Sequence, residues 1–207
     1  MFDYFAGIYC INLDEEEARW QRIQQELNTI GIKDRLQRFS AVKDQVRGRG
    51  ASRSHLELIK MAQENNLPNI LIFEDDTKFI DWNPEYLKNA IANLPQDWQI
   101  FNIGYNICSN KSSFKYKSLS PHLIKVEKGS DVRSNNAYAV NSTAFKFIID
   151  NYGKFLNKWE NHKNKWHLDL WYAQNFDRYC LVPLVSVQQQ GEKPRRFIEN
   201  FSKHNIN

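Results

Sequence analysis

The stretch Asn69-Ile70-Leu71-Ile72-Phe73-Glu74-Asp75-Asp76-Thr77 is an apolar run that passes without a break into three consecutive acids. An uninterrupted run of this length reads as a strand buried on both faces, the kind that fills the middle of an α/β sheet. Its acids then lie at the strand's carboxyl end, where open α/β sheets bind their ligands. The flanks agree. Leu58, Ile59, Met61 and Ala62 belong to a helix that ends near Asn65-Asn66, ahead of Pro68. Beyond the acids, Asn83 caps a further helix with Pro84 at its first position and Leu87, Ala90, Ile91 and Leu94 along one face.

Working outward, Gly7 to Leu13 (GIYCINL) predicts another buried strand, and Asp14 with Glu17 forms a capping-box pattern that opens a helix. Trp20, Ile23, Leu27 and Ile30 recur at helical spacing, and Gly31 supplies the stop. A second strand is expected over Leu36 to Val42. Residues 47–53 read as a flexible basic loop leading to Ser54, which repeats the capping pattern with Glu57. Strands are expected over Gln99 to Ile103, Ala137 to Val140 and Cys180 to Val187. Residues 104–120 are polar and predict a mobile loop near the site. Phe145, Ile148 and Tyr152 mark a helix stopping at Gly153, and the aromatic segment after Trp159 reads as helical from His167 onward. The alternation predicts an α/β fold, a single domain over residues 1–190 with a mixed, mostly parallel sheet flanked by helices, and a basic tail over 191–207.

Composition sets bounds on function. The 207 residues suffice for one domain with a substantial core, and 42% hydrophobic against 25% charged residues excludes a disordered chain. The net charge of +4 suits an anionic ligand without by itself indicating nucleic acid. No apolar run reaches the ~20 residues of a spanning helix, and the first residues lack a secretory pattern, so a cytoplasmic protein is expected. Cys10, Cys108 and Cys180 are scattered among apolar neighbours and predict reduced, buried thiols.

Glu74, Asp75 and Asp76 carry the strongest chemical signal. Adjacent carboxylates repel one another, and a cation offsets that charge. Oxygen ligands favour Mg²⁺ or Mn²⁺, which bridges a diphosphate and stabilises it as a leaving group. A solvated acidic turn after a strand is the plain alternative. A haloacid-dehalogenase-type phosphatase also places acids after a strand, but here Glu74 stands where that chemistry needs an aspartate nucleophile and Thr77 follows Asp76 out of register.

The segments IYCINLD, GRGASRSHLELIKMA, ILIFEDDTKF and SNNAYAVNSTAFKFI, in that order, resemble glycosyltransferase family 25, which includes lipooligosaccharide galactosyltransferases and is similar to the procollagen galactosyltransferases. The resemblance spans Ile8 to Leu184. It implies a single GT-A-like, Rossmann-like domain and a metal-dependent hexosyl or pentosyl transfer from a nucleotide-sugar donor, a UDP-sugar, to a hydroxyl of a glycan, lipooligosaccharide or protein. By the resemblance, Glu74 and Asp76 match the two acids of the DxD-type motif. Asp76 is then the direct metal ligand, Glu74 the partner of ribose or metal, and Asp75 the middle residue. Ser54 and His55 match a Ser-His pair at a helix start, where free N–H groups suit donor phosphates, with Arg53 and Arg49 assisting. Ser54 is equally explained as a cap. Asp169, in His167-Leu168-Asp169, matches a late acidic motif and is the expected general base of an inverting transfer, its alternative an exposed helix acid. Asn136 and Tyr138 are expected on the acceptor side, although a buried Tyr is commonly packing.

The stretch from Val46 to Ser54 (VRGRGASRS) and the tail with Lys193, Arg195, Arg196 and Lys203 are more basic than the family pattern. They raise a second reading, the same chemistry on a hydroxymethylated base in DNA, with the basic segments tracking phosphates. A binding module without turnover is a third.

Overall fold

The computed structural model describes residues 1–46, 48–108, 114–157, 167–190 and 193–194. Its spine is the expected buried strand, β3 (Asn69–Glu74). On one side of β3 lies β1 (Gly7–Asn12), parallel to it and followed outward by parallel β2 (Leu36–Ser40). On the other side lies β8 (Val132–Asn141), which runs antiparallel to both β3 and β5 (Ile100–Ile107). Next to β5 comes β9 (Arg178–Leu181), parallel to it, and then the hairpin of β7 (Leu123–Val126) and β6 (Tyr116–Ser120). The short strand β4 (Thr77–Phe79) pairs with β10 (Ser186–Gln190), which also touches β5 and pairs with β11 (Lys193–Pro194). The sheet is therefore mixed. Its central strands β1, β2, β3, β5 and β9 share one direction, and β8 is reversed among them.

Alternation along β3 decides which helix covers which face. Leu71 and Phe73 pack with Ile23 and Leu27 of α1 (Glu17–Thr29) and Leu87 and Ala90 of α3 (Pro84–Asn93). Ile70 and Ile72 turn to the other face, against Leu58 and Ile59 of α2 (Arg49–Glu64), Phe145 and Ile148 of α4 (Ser142–Leu156), and Trp171 of α5 (Leu168–Asn175). The result is a sheet flanked by helices on both faces. No helix among the described residues is long and apolar enough to cross a membrane.

The chain visits β1, α1 and β2, then crosses by α2 to β3 on the opposite side of β1. Because α1 and α2 cover opposite faces, the connections leaving β1 and β2 part above the sheet. A crevice opens between them at the strands' carboxyl ends.

Several expectations need correction. Asp14 does not cap α1, whose N-cap is Glu16; the Asp14 carboxylate accepts from Ser40 Oγ at 2.8 Å and ties the ends of β1 and β2 together. The expected loop over 104–120 holds the end of β5 and the edge strand β6, whose exposed side chains give it a polar sequence; residues 109–113 lie outside the described residues. Helix α4 continues past Gly153 to Leu156, because Gly153 does not take the left-handed conformation that ends a helix. Cys10 and Cys180 are buried as expected, whereas Cys108 is exposed. The strand expected over Cys180 to Val187 divides into β9 and β10 around Pro183, which has no N–H to give a ladder. The Gly31 stop holds, with φ of 84° immediately after the α1 C-cap Ile30.

Ile72 is fully buried at the centre of this packing. Ile72→Ala should lower unfolding stability by about 2–5 kcal/mol, read as a reduced urea midpoint with unchanged slope.

Candidate functional site

The crevice forms a cleft of about 440 Å³ lined by Asn12 and Leu13 at the end of β1, Ala41 to Asp44 after β2, Glu74 to Asp76 at the end of β3, Arg19 of α1, and the first turn and His55 of α2. That volume lies within the ~300–1,000 Å³ usual for small-molecule sites.

The three acids leave β3 in different directions, each met by different elements. Glu74 Oε1 is 3.2 Å from His55 Nε2, and Oε2 accepts from Gln188 Nε2 at 2.7 Å. Burial pushes the Glu74 carboxyl up, but the His55 hydrogen bond and charge, the Gln188 amide and Arg19 outweigh it and leave the group below its ordinary value. Asp75 is buried; its Oδ2 accepts from Asn12 Nδ2 at 2.6 Å and its Oδ1 pairs with the Arg19 guanidinium. Here burial prevails, aided by the Glu74 charge, and the carboxyl stays above its ordinary value despite Asn12 and Arg19. Asp76 is half-buried and lines the cleft, while its backbone carbonyl accepts from Gln189 N at 2.8 Å.

Opposite the acids, α2 begins earlier than expected. Gly48, with φ of 79°, is its N-cap, so Ser54 and His55 sit in the second turn and not at the start. Ser54 caps nothing: its hydroxyl donates to Gly50 O at 2.8 Å and accepts from Val42 N at 2.7 Å. The first turn presses so closely on the chain after β2 that a Cβ on Gly50 would lie 2.6 Å from Val42 O. Arg49 and Arg53 strengthen the junction, donating to Asp44 Oδ2 at 2.7 and 3.0 Å. Both arginines, read from the sequence as phosphate contacts, thus brace the α2 entrance. The N-terminal end of α2, with the N–H groups of its first turn and its positive dipole, faces the cleft through Gly48, Gly50 and Ala51.

The remaining sequence-derived residues lie elsewhere. Asp169 stands in the first turn of α5, where its carboxylate accepts from Ser134 N at 3.0 Å and Leu170 N at 2.8 Å. It does not line the cleft with Asp76, but His167, two residues earlier, packs on Gly48, where a Cβ would meet the ring at 2.5 Å. Asn136 is buried and tied to Ser134 Oγ at 2.9 Å and Ser186 Oγ at 2.8 Å. Tyr138 is wholly buried beneath His55. Arg195, Arg196 and Lys203, on which the DNA reading leans, lie outside the described residues, as does Arg47.

Asn12, Arg19, Asp44 and Gln188 were not singled out in the sequence. Asn12 and Arg19 carried a signal, since they end β1 and open α1 at the sheet edge where the acids were placed. Asp44 and Gln188 carried none.

The donor set bears on a cation. Among the described residues, no three His, Cys, Asp or Glu side chains converge as a ready-made metal cage. Mg²⁺ needs no such cage, since it takes one or two carboxylates and completes its shell with substrate phosphates and water. Glu74 and Asp76, half-buried at the rim, fit that mode of binding.

No protein-family model matches the chain, and no curated protein matches its sequence. Among solved structures, it is similar to a glycosyltransferase involved in glycosylation of the major capsid of PBCV-1, with 10% identity over 76% of this chain and 67% of the other and a TM-score of 0.42. It is also similar to mannose-1-phosphate geranyltransferase from Thermus thermophilus, with 9% identity over 84% of this chain and 58% of the other and a TM-score of 0.44. A third is a nucleoside-diphosphate-sugar pyrophosphorylase from Vibrio cholerae, with 11% identity over 90% and 78% and a TM-score of 0.42. Likenesses this distant decide neither activity nor substrate, and the family 25 resemblance rests on its motifs.

The Asp44 brace makes an acid-stability prediction. Its carboxyl is held down to about 2, first by the Arg49 hydrogen bond and then by the Val46 N–H. A carboxyl depressed on folding adds stability that is complete above its unfolded value of about 4 and is lost as pH falls through the folded value. The stability advantage of wild type over Asp44→Asn should therefore shrink as pH drops from about 4 toward 2, measured by denaturant unfolding at each pH; a constant advantage would contradict the ion pair.

Proposed function

We propose that this chain is a GT-A-type glycosyltransferase that binds a nucleotide-sugar donor, a UDP-sugar, in the cleft at the carboxyl ends of β1, β2 and β3. The observation that carries the reading is the facing of the Glu74-Asp75-Asp76 turn and the N-terminal end of α2 across a cleft of about 440 Å³. One side offers carboxylates for a hard cation, the other N–H groups and a positive dipole for a diphosphate.

Asp76 would hold Mn²⁺ or Mg²⁺ together with diphosphate oxygens, with Glu74 beside it. The cation supplies charge stabilisation to the departing nucleoside diphosphate. Arg19, already paired with Asp75, adds positive charge at the cleft wall. Asn12 and Arg19 hold the Asp75 carboxylate, one at each oxygen, so the middle acid acts as a brace. On the acceptor side, Asp169 is the proposed base, held in one orientation by two backbone N–H groups and accepting the proton of an attacking hydroxyl from a glycan, lipooligosaccharide or protein in an inverting displacement. His167 on Gly48 links its segment to the donor cleft. Asn136 and Tyr138, being buried, support these groups from below.

Incubation with a panel of UDP-, GDP- and CDP-sugars and Mn²⁺ tests the proposal through release of nucleoside diphosphate. Asp76→Ala should reduce release by at least about 100-fold, and wild-type turnover in that variant would refute the cation assignment. Asp169→Asn should retain donor binding by calorimetry while transfer is lost; transfer at the wild-type rate would remove Asp169 from the mechanism.

A further inference from the structure

Glu74 closes β3 with its carboxylate gripped from two sides. His55 reaches Oε1 from α2 at 3.2 Å, and Gln188 reaches Oε2 from β10 at 2.7 Å. A carboxylate only accepts, so the His55 Nε2 carries the hydrogen of that bond. The other ring nitrogen meets the Tyr138 hydroxyl at 2.9 Å. A hydroxyl donates or accepts as required, so this second bond is available to either protonation state of the ring.

Tyr138 stands on β8 directly across from Ile72, two residues before Glu74 on β3, and its ring centroid is 5.6 Å from that of His55. Tyr138 has no exposure and His55 has 3%, whereas the Glu74 side chain keeps 24%. Of the three, Glu74 presents a substantial surface to the cleft.

We propose that His55 and Gln188, with Tyr138 acting through His55, are positioning residues that aim the Glu74 carboxylate at the bound donor. The inference rests on the glycosyltransferase reading for its ligand, and on this geometry alone for the clamp. A glutamate side chain has several rotamers, and freezing it on binding costs affinity. Two grips from separate elements and a third bond behind one of them impose that order in advance. Their loss should weaken donor binding more than it slows the chemical step.

The test is calorimetric titration with UDP and Mn²⁺ for wild type, Tyr138→Phe, His55→Ala and His55→Gln, alongside donor-hydrolysis kinetics, thermal unfolding and crystal structures of the variants. Tyr138→Phe should weaken UDP binding about 2- to 10-fold, the loss of one hydrogen bond, with a smaller change in kcat. His55→Ala should weaken it further and displace the Glu74 carboxylate. His55→Gln, whose amide still donates, should recover part of the loss. UDP affinities equal to wild type in all three variants, or equal losses in His55→Gln and His55→Ala with only thermal stability moving, would overturn the clamp. If wild type binds no nucleoside diphosphate the glycosyltransferase reading fails, and the crystals decide the clamp separately: a displaced Glu74 in His55→Ala upholds it and an unmoved one overturns it.

Discussion

Three carboxylates in succession at the end of a buried strand repel one another and resist leaving water, and the surrounding fold is arranged around their separation. Glu74 is taken by α2 and β10, Asp75 by the junction of β1 and α1, and Asp76 is left at the rim with its carbonyl bonded to β10. The charge is thereby distributed over Arg19, His55 and neutral amides before any ligand arrives. In the proposed chemistry the cation's place is accordingly beside Asp76, where it would serve the substrate's phosphates.

The opposite wall obeys a related constraint. For α2 to present its N-terminal end to the acids, its first turn must lie nearly against the chain leaving β2, and Gly50 permits that approach while Asp44 gathers Arg49 and Arg53 around it. Positive charge that appears in the sequence as a basic loop is largely spent on this joint. In the proposed donor site, attraction for anions would then come from backbone N–H groups, the helix dipole and Arg19 more than from Arg49 and Arg53.

Much of this was legible in advance because the central elements have unmixed signals. The β3 run is apolar on both faces, and α3 carries both an Asn83 cap, bonded to Glu85 N, and Pro84 at its first position. What escaped notice depends on partners distant in sequence. Ser54 looks like a cap, yet its hydroxyl is used by Gly50 and Val42 within the folded packing. Gly153 looks like a stop, yet its φ is not positive and the helix runs on to bury Leu156 in the core. The strand β6 looks like a loop because an edge strand in solvent needs no apolar face. The acids were read correctly as a group at a strand end, but nothing local distinguishes Asp75, facing Asn12 and Arg19, from its neighbours.

The side chain that steadies Glu74 from the far side comes from Gln188, 114 residues further along the chain. During synthesis the acids are therefore made long before one of their supports, and the turn at the tips of β1, β2 and β3 lacks that support until β10 has been made. The cleft reaches its final form only when the last strands dock, which makes its maturation a late event in the life of each new polypeptide.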